Sequence, residues 1–219
     1  MPKSFKKESF RVSPRLSPHQ SAPGGFLLIE MIVVLSIAIT LTTILSVYTR
    51  QSERQVIFFK EQTVLADALS RAKAFAIETF QPQLQPGLAA PGERICGWGV
   101  HFQKFNPDDP AANRYIIFRD LTAGSCGLPS YTPAGGEDFE IIALAPYIQI
   151  SCLMVSSQAG VPCAGSRSEI DVIYLPPDPK IVFSPADPND EEAIIVLELA
   201  DGTRSSTIRV SRSGQISIE

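Results

Sequence analysis

Apolar residues follow three successive patterns along the chain. Residues 26–48 form an almost unbroken apolar run of 23 positions in which Glu30 is the only ionisable side chain. About 20 such residues cross a bilayer as a helix. Residues 49–80 contain neither Pro nor Gly, and Phe58, Leu65, Leu69, Ala72 and Ala76 recur at helical offsets, with Phe75 widening the stripe. Arg50, Arg54, Lys60, Glu61, Asp67, Arg71, Lys73 and Glu78 occupy much of the other side, and Pro82 and Pro86 end the pattern. These two segments predict one helix from Phe26 to Thr79, roughly 80 Å long at 1.5 Å per residue. From residue 92 onward the pattern changes to short β runs. Nine strands are predicted, over 95–102, 115–119, 139–144, 147–156, 170–175, 180–184, 193–199, 205–211 and 215–218. Asp201-Gly202 predicts a hairpin between the seventh and eighth, and Ser213-Gly214 a turn before the last.

The expected fold class is therefore α+β, a long N-terminal helix with an antiparallel β head. Residues 1–25 precede the apolar run and hold five basic side chains (Lys3, Lys6, Lys7, Arg11 and Arg15) against one acid, Glu8. Such a segment stays on the cytoplasmic side of a membrane. The apolar run exceeds the 7–15 residues of a secretory signal core, and no small-x-small cleavage site follows Tyr48. A lone carboxylate five residues into a membrane-grade run costs about 2.5 kcal/mol or more unless a partner neutralises it.

The four cysteines, Cys96, Cys126, Cys152 and Cys163, all lie beyond the apolar run. An even count in an exported domain suggests disulfides. Four cysteines allow three pairings, of which Cys96–Cys126 and Cys152–Cys163 each close a local excursion. Reduced thiols are the alternative. No C-x-x-C is present, which weighs against zinc. His19 and His101 are the only histidines, and no Ser-His-Asp or Cys-His signature surrounds either, so no enzymatic activity is expected. His101, on a strand beside Trp98 and Phe102, reads as structural. The loop Asp187-Pro188-Asn189-Asp190-Glu191-Glu192 offers oxygen ligands to Ca²⁺, but its spacing matches no EF-hand and a solvated loop is the stronger reading. Asp108-Asp109 is read the same way.

Gly25-Phe26-Leu27-Leu28-Ile29-Glu30, after a basic segment, resembles the processing and methylation site of type IV prepilins and pseudopilins. The resemblance implies cleavage after Gly25 by a prepilin peptidase and N-methylation of Phe26. It also implies that Glu30, fifth in the mature chain, neutralises the terminal amine of a neighbouring subunit during filament assembly. The domains would be a removed leader (1–25), a transmembrane half-helix (26–48), an amphipathic half-helix (49–80) and a β-rich head (81–219). The processed chain would keep 14 basic and 22 acidic groups, a net charge of −8, which argues against broad electrostatic binding of nucleic acid. Many major pilins have a Pro about 22 residues into the mature chain; Val47 stands there in this sequence.

Three softer segments are similar to the GspH/FimT branch of minor pilins: 65–76, Cys96-Gly97-Trp98-Gly99-Val100-His101-Phe102, and Ile208-Arg209-Val210-Ser211-Arg212-Ser213-Gly214-Gln215-Ile216. That branch implies a subunit of a type II secretion pseudopilus or a type IV pilus. Its implied partners are other pilins, membrane lipid, and an inner-membrane assembly platform with its ATPase. The implied location is a single pass of the inner membrane with the head outside the cytoplasm, then a periplasmic or extracellular filament. On the FimT side a basic C-terminal tail contacts DNA, of which Arg209 and Arg212 are a faint echo; ordinary solvated strand charges are the stronger reading. A single-span envelope protein with a β head is the other alternative. Among superfamily relatives some bind calcium in head loops, and no other cofactor is implied.

Overall fold

A computed structural model describes residues 27–79, 94–109, 113–122, 129–133, 136–156, 163, 165–176, 180–185 and 190–219. The described residues form one helix, α1 (Leu28–Thr79), and nine strands: β1 (Arg94–Gln103), β2 (Arg114–Thr122), β3 (Asp138–Ala143), β4 (Ile148–Ser156), β5 (Glu169–Leu175), β6 (Lys180–Ser184), β7 (Glu192–Leu199), β8 (Ser205–Ser211) and β9 (Ile216–Ile218). The architecture is α+β with antiparallel sheets. Each predicted strand has a counterpart, with ends shifted by at most a few residues. The chain divides into two compact units, Met1–Thr49 and Arg50–Glu219.

In the first unit α1 is long and apolar enough to cross a membrane. Every described side chain from Leu27 to Thr49 is exposed. Its hydroxyls turn back onto the helix: Thr40 Oγ1 donates to the Ser36 carbonyl (2.7 Å), Thr43 to Ile39 (2.8 Å) and Ser46 to Thr42 (2.9 Å). All six Ser and Thr side chains from Ser36 to Thr49, which could otherwise demand water in hydrocarbon, are met in this way, with Ser36 bonded to the Val33 carbonyl, Thr42 to Ala38 and Thr49 to Leu45.

In the second unit the remaining length of α1 belongs to the core. Phe58, Leu65, Ala68, Leu69, Ala72 and Ala76 are buried in one cluster with residues from both sheets. The five-stranded sheet has the order β3-β2-β1-β5-β6 and the four-stranded sheet β4-β7-β8-β9. Trp98, Val100 and Phe102 of β1, Tyr115 and Ile117 of β2, and Ile170, Val172 and Tyr174 of β5 fill the core from one sheet. Ile148, Ile150, Ile195, Leu197, Ile208 and Val210 fill it from the other. Two register shifts keep this alternation in phase with the core. One lies between Ile95 and Gly97 and one between Ile150 and Cys152, so that Ile150 and Leu153, an odd number apart, both face inward.

The outer face of the five-stranded sheet carries its own small cluster of Ile116, Phe118 and Ile173, with Tyr131 and Leu175 packed on it. Gly99 makes that packing possible. A Cβ there would stand 2.7 Å from the Phe118 ring and 2.9 Å from the Val172 carbonyl, closer than any side chain tolerates. At the distal end of α1, Trp98 Nε1 donates to Thr79 Oγ1 at 2.6 Å, and Phe139 of β3 meets both Trp98 (5.1 Å) and Phe75 (5.2 Å) edge to face. Two turns need a left-handed residue and have glycine there: Gly202 (φ 68°) between β7 and β8, and Gly214 (φ 84°) between β8 and β9.

Candidate functional site

The first turn of α1 holds Glu30, whose amide donates to the Leu27 carbonyl at 2.9 Å. An acid in a first helical turn faces the partial positive charge of the unpaired backbone amides. Its side chain is exposed, as are Leu27, Leu28, Ile29 and Met31 around it. Among the described residues nothing covers this apolar surface, and its burial in lipid or against other helices would be favourable. Gly25 and Phe26 lie outside the described residues.

Cys152 and Cys163 are joined in a disulfide, with Cα atoms 5.7 Å apart. Cys96 is also disulfide-bonded, and Cys126 lies outside the described residues. The first bridge sits on the outer face of the four-stranded sheet, where Cys152, Met154, Ile194 and Val196 form a separate apolar cluster.

The C-terminal hairpin places Arg209 between two carboxylates, with Nη1 3.1 Å from Glu192 Oε1 and Nε 3.2 Å from Glu219 Oε2. The cross-strand pairing of Ile194 with Arg209 and of Arg209 with Ser217 makes Glu192 and Glu219 neighbours of the guanidinium. Arg212 stands exposed in the β8–β9 turn, its amide donating to the Glu191 carbonyl at 2.7 Å. The two arginines are thus set apart, one matched by acids on the strand and one in the turn. Of the acidic loop, residues 187–189 lie outside the described residues, Asp190 is buried, and Glu192 is engaged by Arg209. Among the described residues no group of three or more His, Cys, Asp or Glu side chains could hold a metal ion. Asp108 lies in a tight turn capped by Asn106, whose Oδ1 accepts the Asp108 amide at 3.1 Å.

His101 lies on β1 with Trp98 and Phe102, the strand on which the sequence placed it. Trp98 and Phe102 face the main core, whereas His101 faces the opposite side of β1, because residues an odd number apart on a strand point oppositely. There His101 Nδ1 lies 2.7 Å from Asp171 Oδ1, its cross-strand partner on β5, and both are buried. Asp171 Oδ2 accepts the Tyr131 amide at 3.1 Å, and the Tyr131 ring covers the imidazole at 4.4 Å. The segment that carries Tyr131 is clipped down by Glu137. This buried acid accepts the Thr132 amide at 2.6 Å and the Leu121 amide at 3.4 Å. Burial holds the Glu137 carboxyl above its usual range, and burial together with Glu137 pushes Asp120 up to about 6. This assembly was not legible in the sequence. Parity along β1 and β5 assigns His101 and Asp171 to one face each, but only the register makes them partners.

The chain matches no protein-family model, no curated protein and no solved structure with which it was compared.

Proposed function

We propose that this chain is a pilin-like structural subunit, a pseudopilin or minor pilin, that is cleaved after Gly25, N-methylated on Phe26, and assembled into a type II secretion pseudopilus or type IV pilus. The observation that carries this reading is the first turn of α1. Glu30, the one acid of the apolar run that follows Gly24-Gly25 in the sequence, stands exposed in that turn. A carboxylate and an amine are each costly in hydrocarbon and offset one another when paired. Pairing between subunits would neutralise both and set their register. The fold is consistent with the role: the apolar half of α1 is free to bundle, while its second half is fixed in the head core. In this scheme the partners are a prepilin peptidase, other pilins, lipid, and an inner-membrane platform with its ATPase. The subunit passes the inner membrane once with its head outside the cytoplasm.

The DNA-uptake alternative gains no support from Arg209, whose charge is matched by Glu192 and Glu219. The deciding experiment is mass spectrometry of N-terminal peptides from sheared filaments and from envelope. A methylated Phe26 terminus supports the reading, and an intact leader in cells with an active prepilin peptidase refutes it. Glu30→Ala is expected to leave cleavage intact and to reduce filament yield; an unchanged yield removes Glu30 from the assembly chemistry.

A further inference from the structure

The outer face of the five-stranded sheet holds a cleft of about 280 Å³ beside the His101–Asp171 pair. Its polar wall is Gln103, Arg114 and Glu169; Ile116, Tyr131 and Pro133 form the apolar wall. The strand register explains this arrangement. Gln103 stands opposite Glu169, and Phe102 opposite Tyr115, so Gln103 lies in the row between Arg114 and Glu169. Adjacent strands are about 5 Å apart, so three consecutive strands present a guanidinium, an amide and a carboxylate side by side.

The chemistry of that row is specific. Arg114 only donates hydrogen bonds, ionised Glu169 only accepts, and Gln103 does both. Arg114 Nε is buried without a hydrogen-bond partner, and a buried donor in that state calls for an acceptor. The two wall charges balance, and His101 faces its own carboxylate. A phosphate would therefore meet Glu169 and Asp171 as well as Arg114, and a metal cation would meet Arg114. A neutral ligand with several hydroxyls avoids both conflicts, because each hydroxyl donates and accepts. The apolar wall suits the C–H face of a ring, and the volume lies just below the range of pockets for drug-sized ligands.

We propose that this cleft is a saccharide-binding site that takes one sugar ring, with hydroxyls bonded to Arg114, Gln103 and Glu169 and the ring face against Tyr131 and Pro133. The proposal is independent of filament assembly and concerns the head alone.

The test is saturation-transfer NMR on the full chain in a detergent without a sugar headgroup, with glucose, mannose and N-acetylglucosamine as probes. At least one sugar is expected to receive saturation from the wild type. Its affinity is expected to fall about tenfold in Arg114→Met, the loss of one charge-assisted hydrogen bond. Gln103→Leu, at a half-buried position, provides a second variant should Arg114→Met fail to fold, and is expected to weaken binding as well. Trp98 emission confirms folding of each. Absence of transfer to all three sugars overturns the proposal. So does undiminished transfer in folded variants, or displacement of the sugar by sodium acetate, which would mark an anion site.

Discussion

Leu65→Ala tests whether the second half of α1 is a structural part of the head. Leu65 is fully buried, 0% exposed, in the core cluster that joins Phe58, Ala68 and Leu69 of its own helix with residues of both sheets. Truncation removes the transfer energy of the lost methyl groups and leaves a cavity. Measured Leu→Ala losses of this kind run from about 2.7 to 5.0 kcal/mol. For a side chain with no exposed surface in that cluster, a value in the upper half of this range, about 4 kcal/mol, is expected. For a domain of this size each kcal/mol lowers Tm by about 2–4 °C, giving a fall of roughly 8–16 °C. Stability of about 5–15 kcal/mol would leave most of the variant folded at room temperature. The assay is thermal unfolding of the full chain in detergent, followed by emission of Trp98, the only tryptophan and itself 1% exposed. Leu41→Ala is the control: Leu41 is 60% exposed in the apolar unit, and its loss should move the transition by less than about 1 °C. A Leu65→Ala shift below about 3 °C, or an equal shift in Leu41→Ala, would refute the reasoning.

Further outcomes follow from single features. Replacing both Cys152 and Cys163 by Ser opens a loop with a sequence separation of 11 and should cost about 3 kcal/mol in chemical denaturation. Tyr174→Phe should be neutral or stabilising, because the Tyr174 hydroxyl is buried with no partner; a loss above about 1 kcal/mol would reveal a bond that the structure lacks. Asp120 titrates near 6 when folded against 3.8 as its ordinary value, so the folded state binds more protons between these limits and stability rises as pH falls from 7 toward 4. Buried Glu137 acts in the same direction. Asp120→Asn should therefore flatten the Tm–pH curve in that window, and an unchanged slope would remove Asp120 as its source.

Much of this molecule is written locally. The absence of Pro and Gly over 49–80, the 3.6-residue stripe and the terminal prolines mark α1, because helix formation depends on residues within a turn of one another. The stripe of Phe58, Leu65, Leu69, Ala72 and Ala76 is the buried stripe, to which the structure adds Ala68. Strand positions and the Asp201-Gly202 and Ser213-Gly214 turns follow from alternation and from left-handed backbone requirements, again short-range. Glu30 and its apolar surroundings stand out for the same reason.

Pairing between distant strands could not be read this way. The five-stranded sheet joins β1 to β5 across some seventy residues, as the pairing of His101 with Asp171 shows. The four-stranded sheet joins β4 to β7 in the same nonlocal manner, with β8 and β9 following. Bulges at Ile95/Gly97 and Ile150/Cys152 switch which residues face inward, so counting parity through them fails. Parity alone puts His101 on the face opposite Trp98, but only register placed it over Asp171 and beneath Tyr131, at the edge of a cleft whose three polar side chains come from three strands. Periodicity decides which face a side chain takes; long-range register, set by burial of the whole core at once, decides what it meets there.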